Sequence, residues 1–375
     1  MLVAFQIDQL WFSAPGGIGT YVRELVPALK AEDPALGLTP FHCRFEGPGP
    51  DPAWLAGRPT LEIPAPISTL YPRWDLLGRP SLPSTFDGFD VLHVTNPAGI
   101  APAREGCALV VTVHDLAVER HPERFPAKWR LLYRAGVRAA ARRADAILTP
   151  SAATAADLLE YTSVEAEKVH VTPLAAALPA SPRDPQEVLA RLGITAPYLL
   201  FVGTLEPRKN VVPLVRAYRQ IAHDLPHGLV LAGPDGWHVE DLNAELRRKG
   251  PGSIVRTGRV EAEDLDALYR AASAFVYPST YEGFGLPVLE AMARGVPVVT
   301  SEAPALLEVT GDAALKVEAD DVAGLADALA RLLSNDGLAA DLGARGRTRA
   351  AAFTWAATAR ATLEAYRRAI GAAAA

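Results

Sequence analysis

Short apolar runs alternate with amphipathic stretches along almost the whole chain. In the first half the runs are Leu2–Asp8, Leu38–Arg44, Asp90–Thr95, Leu109–Val113, Ala146–Thr149 and Val169–Thr172. Each is short and mostly apolar on both faces, which predicts parallel strands covered by helices. Helices are expected between them over Ile18–Ala31, Ala127–Arg142 and Ala152–Glu160, with Ser151 in the N-cap position. Residues 173 to 185, PLAAALPASPRDP, have neither periodicity and read as a linker. The alternation then restarts with Tyr198–Gly203, Gly228–Gly233, Ile254–Gly258, Ala274–Pro278 and Val296–Thr300. Two doubly wound α/β domains follow from this pattern, with boundaries at 1–175 and 176–352.

The length of 375 residues agrees with two cores. With 49% hydrophobic and 21% charged residues the balance is globular. The formal net charge of -6 argues against a dedicated nucleic-acid binder, which presents a strongly basic face. Cys43 and Cys107 are too few and too far apart for a disulfide framework or a zinc site, so a reducing, cytoplasmic setting is expected. The N-terminal MLVAFQIDQL reads as a strand, not a signal peptide, and no apolar run is long enough to span a membrane.

In doubly wound sheets, ligands bind beyond the carboxyl ends of the strands. The unusual residues of this chain cluster there. SAPGGIGTYVREL, residues 13 to 25, carries Gly16, Gly17 and Gly19 after the first strand. It suits either an ordinary glycine turn or close approach to an anion at a helix start, and its spacing is not that of a dinucleotide fingerprint. His114 and Asp115 follow a buried strand; the imidazole is either structural or poised to hydrogen-bond a substrate hydroxyl. In FVGTLEPRKN, Gly203 ends a strand and Arg208 and Lys209 stand together after it. They are either a solvated surface pair or two cations suited to a diphosphate.

The stretch PSTYEGFGLPVLEAMARG, residues 278 to 295, sets Glu282 and Glu290 on either side of a turn. Gly283 and Gly285 allow tight turning, and Pro287 fits the first turn of a helix over Val288–Arg294. Backbone N–H groups around Phe284, Gly285 and Leu286 would then face an anion. Glu290 also suits the helix dipole, which does not account for Glu282. A sugar nucleotide, a diphosphate flanked by two polyols, reconciles both acids: one glutamate holds ribose and the other the transferred sugar.

Taken in order, GGIGTY, VHDL, VGTLEPRKN and PSTYEGFGLPVLEAMARGVPVV resemble the retaining GT-B glycosyltransferases of family 4, over nearly the whole chain. LEPRKN with VHDL is most similar to the mannosyltransferase B-like branch of bacterial surface polysaccharide synthesis. The resemblance implies two Rossmann-like domains facing across a cleft. The first takes the acceptor, the second the donor, and a C-terminal helix over 353–371 packs back on the first. It implies that Arg208 and Lys209 bind the donor diphosphate, Glu290 the ribose and Glu282 the donor sugar. Phe284, Gly285 and Leu286 would contact phosphates and sugar through backbone. Gly17 and Gly203 would lie along the donor, Arg259 and Val260 by the base, and His114 by the reacting sugar. GDP-mannose is the first donor expected, with UDP-glucose, UDP-GlcNAc or a dTDP-deoxysugar as alternatives. No cofactor is implied. A sugar-nucleotide epimerase and a catalytically silent nucleotide-sugar-binding subunit are the rival readings.

Two further features call for a reading. Residues 264 to 266, DLD, are like a metal-binding DxD string. They sit in a helical pattern that would splay the two acids, so a solvated helix face and no metal are expected. Residues 127 to 144 lack acids, and Arg130, Arg134, Arg138 and Arg142 form one stripe. It is either a solvated face or a peripheral contact with an anionic membrane that brings a lipid-linked acceptor close.

Overall fold

The computed structural model describes residues 1–12, 15–47, 53–55, 58–177 and 181–373. Residues 13–14 of the glycine loop and 178–180 of the linker lie outside the described residues. The chain divides into two compact units: Met1–Leu174 with Thr354–Ala375, and Ala175–Phe353.

The first unit is built on a seven-stranded sheet. Its strands are β1 (Leu2–Gln6), β2 (Gly37–Arg44), β3 (Leu61–Pro66), β4 (Val91–Val94), β5 (Ala108–Thr112), β6 (Ala146–Thr149) and β7 (Val169–Val171). They lie in the order β3-β2-β1-β4-β5-β6-β7, and every pair is parallel. The order reverses between β1 and β4, so the carboxyl ends of those strands open the crevice in which ligands of such sheets sit. β4, β5 and β6 are buried throughout, which is why they read as continuous apolar runs. Ser151 caps the helix Ala152–Tyr161, accepting from the Thr154 N–H at 3.0 Å. The C-terminal helix Trp355–Ala373 packs in this unit, where the Tyr366 hydroxyl lies 2.6 Å from His93 Nδ1 on β4.

The second unit carries β8 (Tyr198–Val202), β9 (Gly228–Ala232), β10 (Ile254–Gly258), β11 (Ala274–Tyr277), β12 (Val298–Ser301) and β13 (Ala314–Val317). Their order is β10-β9-β8-β11-β12-β13, again all parallel. Here the reversal falls between β8 and β11. The motifs VGTLEPRKN and PSTYEGFGLPVLE leave the sheet from these two neighbouring strands.

The patterning does not reveal β3, the helix Ile67–Leu77 or β13. β3 has the sequence LEIPAP with an alternating burial pattern, and the helix that follows carries an internal Pro72. β13 is a half-exposed edge strand.

Candidate functional site

The site of the second unit starts from two loops that the strand order brings side by side. After β8 the chain makes a 3-10 turn, Pro207–Lys209, and reaches Asn210 in the left-handed conformation at φ 59°. The Asn210 amide holds the Ala319 carbonyl at 2.5 Å, and the helix Val211–Ile221 follows. After β11 the Thr280 N–H donates to the Arg208 carbonyl at 2.9 Å and ties the two loops together.

The β11 loop then turns at Gly285, with φ 110°. The positive φ demands glycine there, and a Cβ would also crowd Leu306 Cδ2 at 2.5 Å. The helix Leu286–Ala293 begins at once, with Pro287 in its first turn. The helix starts in the loop that leaves the carboxyl end of β11, and a helix N-terminus favours an anion. Phe284 is buried against Phe353, ring centroids 5.8 Å apart, and holds the turn in shape.

Arg208, Lys209 and Glu282, separated widely in sequence, meet here. Lys209 Nζ lies 2.6 Å from Glu282 Oε1 and donates to the Tyr277 hydroxyl at 2.5 Å. Arg208 Nη1 lies 3.0 Å from Glu282 Oε2 and donates to the Tyr281 carbonyl at 2.8 Å. Glu282 and Lys209 are each only 8% exposed, so the pair is not a solvated surface feature. Burial pushes the Glu282 carboxyl up, but the Arg208 and Lys209 charges outweigh it and hold the group at about 2. Lys209 is held below its ordinary value, because burial and the adjacent Arg208 outweigh Glu282. Glu282 thus pairs with both cations at once.

Glu290 has the opposite character. It is buried in the helix Leu286–Ala293 and accepts from the Tyr269 hydroxyl at 3.2 Å. Burial raises its carboxyl to about 7, against the smaller opposing effects of Arg294 and Tyr269. One glutamate of the pair is therefore firmly ionised, and the other sits at the edge of protonation at neutral pH. Either form can bind a hydroxyl, as acceptor or as donor.

The remaining expected residues lie at strand ends too. Gly203 follows β8 at φ 154°, with Lys209 Cε 3.7 Å from where its Cβ would be. Arg259, exposed, and Val260, half-buried, follow β10 at its carboxyl end. In the first unit Gly17 lies exposed in the first turn of the helix Gly16–Glu32, two residues earlier than the helix start that periodicity predicts.

His114, half-buried beyond β5, has Nε2 3.0 Å from the Thr95 carbonyl. A carbonyl only accepts, so Nε2 carries the proton. Burial lowers the imidazole to about 4. The ring is neutral at pH 7 and Nδ1 is its acceptor. Tyr21 packs edge-on against it, ring centroids 5.0 Å apart.

The expectation of a solvated face for Asp264 and Asp266 is corrected. Both lie on the helix Ala262–Ala271, yet both are buried. Asp264 pairs with Arg191 at 2.7 Å and with Arg183. Asp266 accepts from Arg294 at 2.7 Å, Arg270 at 2.8 Å and the Ser181 N–H at 3.1 Å. They diverge around the helix as expected, but toward arginines, tying linker and helix together. Among the described residues no group of three or more His, Cys, Asp and Glu side chains is placed to hold a metal ion. The basic stripe is also uneven. Arg134 pairs with Glu119 at 3.0 Å and Arg130 reaches the Pro122 carbonyl at 3.4 Å, while Arg138 and Arg142 are exposed. No described helix is long and apolar enough to cross a membrane.

Sequence reasoning missed Glu206, Tyr269 and Tyr277. Glu206 is buried and binds Arg208 from the side opposite Glu282. Its position inside the LEPRKN run was the one available signal. The tyrosines come from a helix and a strand whose apolar patterning hides any polar task.

Comparison with known proteins fits this geometry. Residues 15–176 match the family described as Glycosyltransferase Family 4, and residues 196–335 match Glycosyl transferases group 1. The chain is 37% identical to the O-antigen chain mannosyltransferase B of Escherichia coli, over 69% of this chain and 70% of that one. It is 31% identical to the MMP alpha-(1->4)-mannosyltransferase of Mycolicibacterium hassiacum, over 95% of each. Among solved structures, Anabaena Alr3699/HepE in complex with UDP-glucose superposes with a TM-score of 0.72 at 19% identity, over 97% of this chain and 98% of that one. The last likeness is one of fold, the GT-B arrangement of two parallel-sheet domains.

Proposed function

The chain belongs to the group 1, family 4 glycosyltransferases, and from that premise we propose a specific reaction for it. The enzyme moves a hexose, in the first instance mannose from GDP-mannose, to a saccharide or lipid-linked saccharide acceptor of a bacterial surface polysaccharide. Transfer proceeds with retention of anomeric configuration and without a metal. The choice of mannose is supported by the mannosyltransferase names of the two relatives. The observation that carries the donor assignment is the Glu282 carboxylate gripped by Arg208 and Lys209 at the start of the helix Leu286–Ala293.

In this reading a nucleoside diphosphate displaces Glu282 as the partner of the two cations. Arg208, Lys209 and the N–H groups around Phe284, Gly285 and Leu286 hold its oxygens, with Gly203 beside them. Glu282, released, accepts from hydroxyls of the transferred sugar, Glu290 binds the ribose, and Arg259 with Val260 flank the base. As the glycosidic bond to phosphate breaks, charge builds on the leaving oxygen where these donors already point. That oxygen takes the acceptor proton on the same face of the sugar. His114 Nδ1 accepts from a sugar hydroxyl, and Gly17 lies along the donor phosphate or acceptor. Peripheral membrane contact through the acid-free helix Ala127–Arg143 gains support from Trp129, 57% exposed, and Leu131, 74% exposed.

The test is a thermal-shift screen against GDP-mannose, UDP-glucose, UDP-GlcNAc and dTDP-deoxysugars, followed by turnover with and without acceptor. GDP-mannose should give the largest shift, turnover should survive EDTA, and NMR of the product should show a retained anomeric centre. An epimerised nucleotide sugar formed without acceptor would sink the transferase reading. Donor binding with no turnover across a wide acceptor panel would leave a silent binding subunit.

A further inference from the structure

A cluster meant to receive a diphosphate should be cationic. The one observed is not. Arg208 and Lys209 are matched by two buried carboxylates, Glu282 and Glu206, so the four side chains carry no formal net charge between them. Glu282 has the sugar to bind in the reading above. Glu206 has no such task. Its Oε1 accepts from Arg208 Nε at 3.1 Å and from Nη2 at 2.7 Å, and its backbone carbonyl accepts from the Lys209 N–H at 3.0 Å. At 6% exposure it bears the desolvation cost of a buried charge inside a loop whose turn is already closed by backbone hydrogen bonds.

We propose that Glu206 is a positioning residue acting through Arg208, and that it keeps the affinity for the product nucleoside diphosphate low enough for release. Two effects follow from its hold on Arg208. Gripping Nε and Nη2 fixes the guanidinium plane so that Nη1 is the edge turned toward Tyr281, Glu282 and an arriving anion. Offsetting one positive charge in a low-dielectric site weakens the hold on a dianion, and product release limits turnover in many enzymes. The proposal rests on the assignment of a nucleoside diphosphate to this site.

The experiment compares wild type with E206Q, E206M and E206D by calorimetry with GDP at low and high salt, alongside steady-state turnover. E206Q keeps the acceptor for Arg208 and removes the charge. GDP should bind about tenfold tighter, at about 1.36 kcal/mol per decade, with a steeper salt dependence and a lower kcat. E206M removes charge and acceptor together; GDP should again bind tighter, with a larger loss of kcat as the fork loosens. E206D keeps the charge and should stay within about twofold of wild type in GDP affinity. A merely structural role predicts the reverse for E206Q and E206M, weaker binding in both, and that outcome or unchanged affinity overturns the proposal. Because E206M reports the same charge loss, the result does not depend on E206Q folding. GDP-induced thermal shifts supply the same comparison for a destabilised variant. Failure of the wild-type protein to bind GDP, UDP or dTDP would refute the donor assignment itself. Wild-type binding without tightening in the charge-removing variants refutes this inference alone.

Discussion

Glu282→Gln is the sharpest perturbation of the site, because it removes one charge from a buried four-residue cluster and changes little in shape. A carboxyl drawn from 4.5 to about 2 is stabilised in its ionised form by about 3 kcal/mol at roughly 1.36 kcal/mol per pH unit. A second route gives a similar figure: removing one partner of a buried ion pair costs about 3–5 kcal/mol. The amide retains a hydrogen bond to Lys209, and Glu206 still offsets Arg208, so the lower end of that range is expected. For a unit of this size about 3 kcal/mol corresponds to a fall of roughly 6–12 °C in Tm.

The sign with pH follows from the direction of the shift. The folded-state value lies below the unfolded one, so the Glu282 contribution is fully present above pH 4.5 and is lost as pH falls through about 2. Scanning calorimetry of wild type and Glu282→Gln, following the transition of the second unit, should show a constant gap from pH 5 to 8. The gap should narrow steadily from pH 4.5 toward 2. Turnover should fall while GDP affinity holds or rises, because the sugar loses its partner and the diphosphate no longer competes with a carboxylate for Arg208 and Lys209. A stability difference under about 1 kcal/mol, or a gap unchanged between pH 5 and 2.5, would refute the reasoning that two cations hold this carboxylate.

The other expectations concern the neighbours. Arg208→Ala and Lys209→Ala each delete charge-assisted hydrogen bonds worth about 1.5–3 kcal/mol, so GDP should bind roughly 10- to 100-fold more weakly by calorimetry; unchanged affinity in both would misplace the diphosphate. Glu290→Gln should behave oppositely to Glu282→Gln in the donor-free protein. Its folded value is raised to about 7, so burial of the carboxylate costs stability as pH rises through 7, and the variant should exceed wild type by about 3 kcal/mol at pH 9 and match it below pH 4.5. The same variant should bind GDP-mannose less tightly, if Glu290 holds ribose. His114→Ala should lower kcat while leaving GDP affinity within about twofold, measured by steady-state kinetics and calorimetry on one preparation.

How far the sequence carried these conclusions depends on where each residue gets its meaning. Strands β4, β5 and β8 to β11 are legible because both faces of the central ones are covered, and a run of apolar residues is the direct consequence. β3 and β13 are not: both are edge strands, LEIPAP carries two prolines and ALKV is half-exposed, whereas the edge strands β7 and β10 keep the β-branched residues Val169, Val171, Ile254 and Val255. The site shows the same division. Strand-end position is a local property, and it singled out Arg208, Lys209, His114 and Glu282. Pairing is not local. The Lys209–Glu282 contact spans 73 residues, and only the sheet order, by setting β8 beside β11, brings the partners together. For the same reason Asp264 and Asp266 were read as solvated: their arginines come from Arg183 and Arg191 on one side and Arg270 and Arg294 on the other. An acid facing solvent and an acid facing an arginine leave the same mark on a helix. The two site glutamates make the point most strongly. Their surroundings place one near 2 and the other near 7, a division of labour between a fixed anion and a switchable hydroxyl partner. Nothing in the string EGFGLPVLE separates them; the difference is made by which of them meets two cations and which is buried with only the smaller opposing effects of Arg294 and Tyr269.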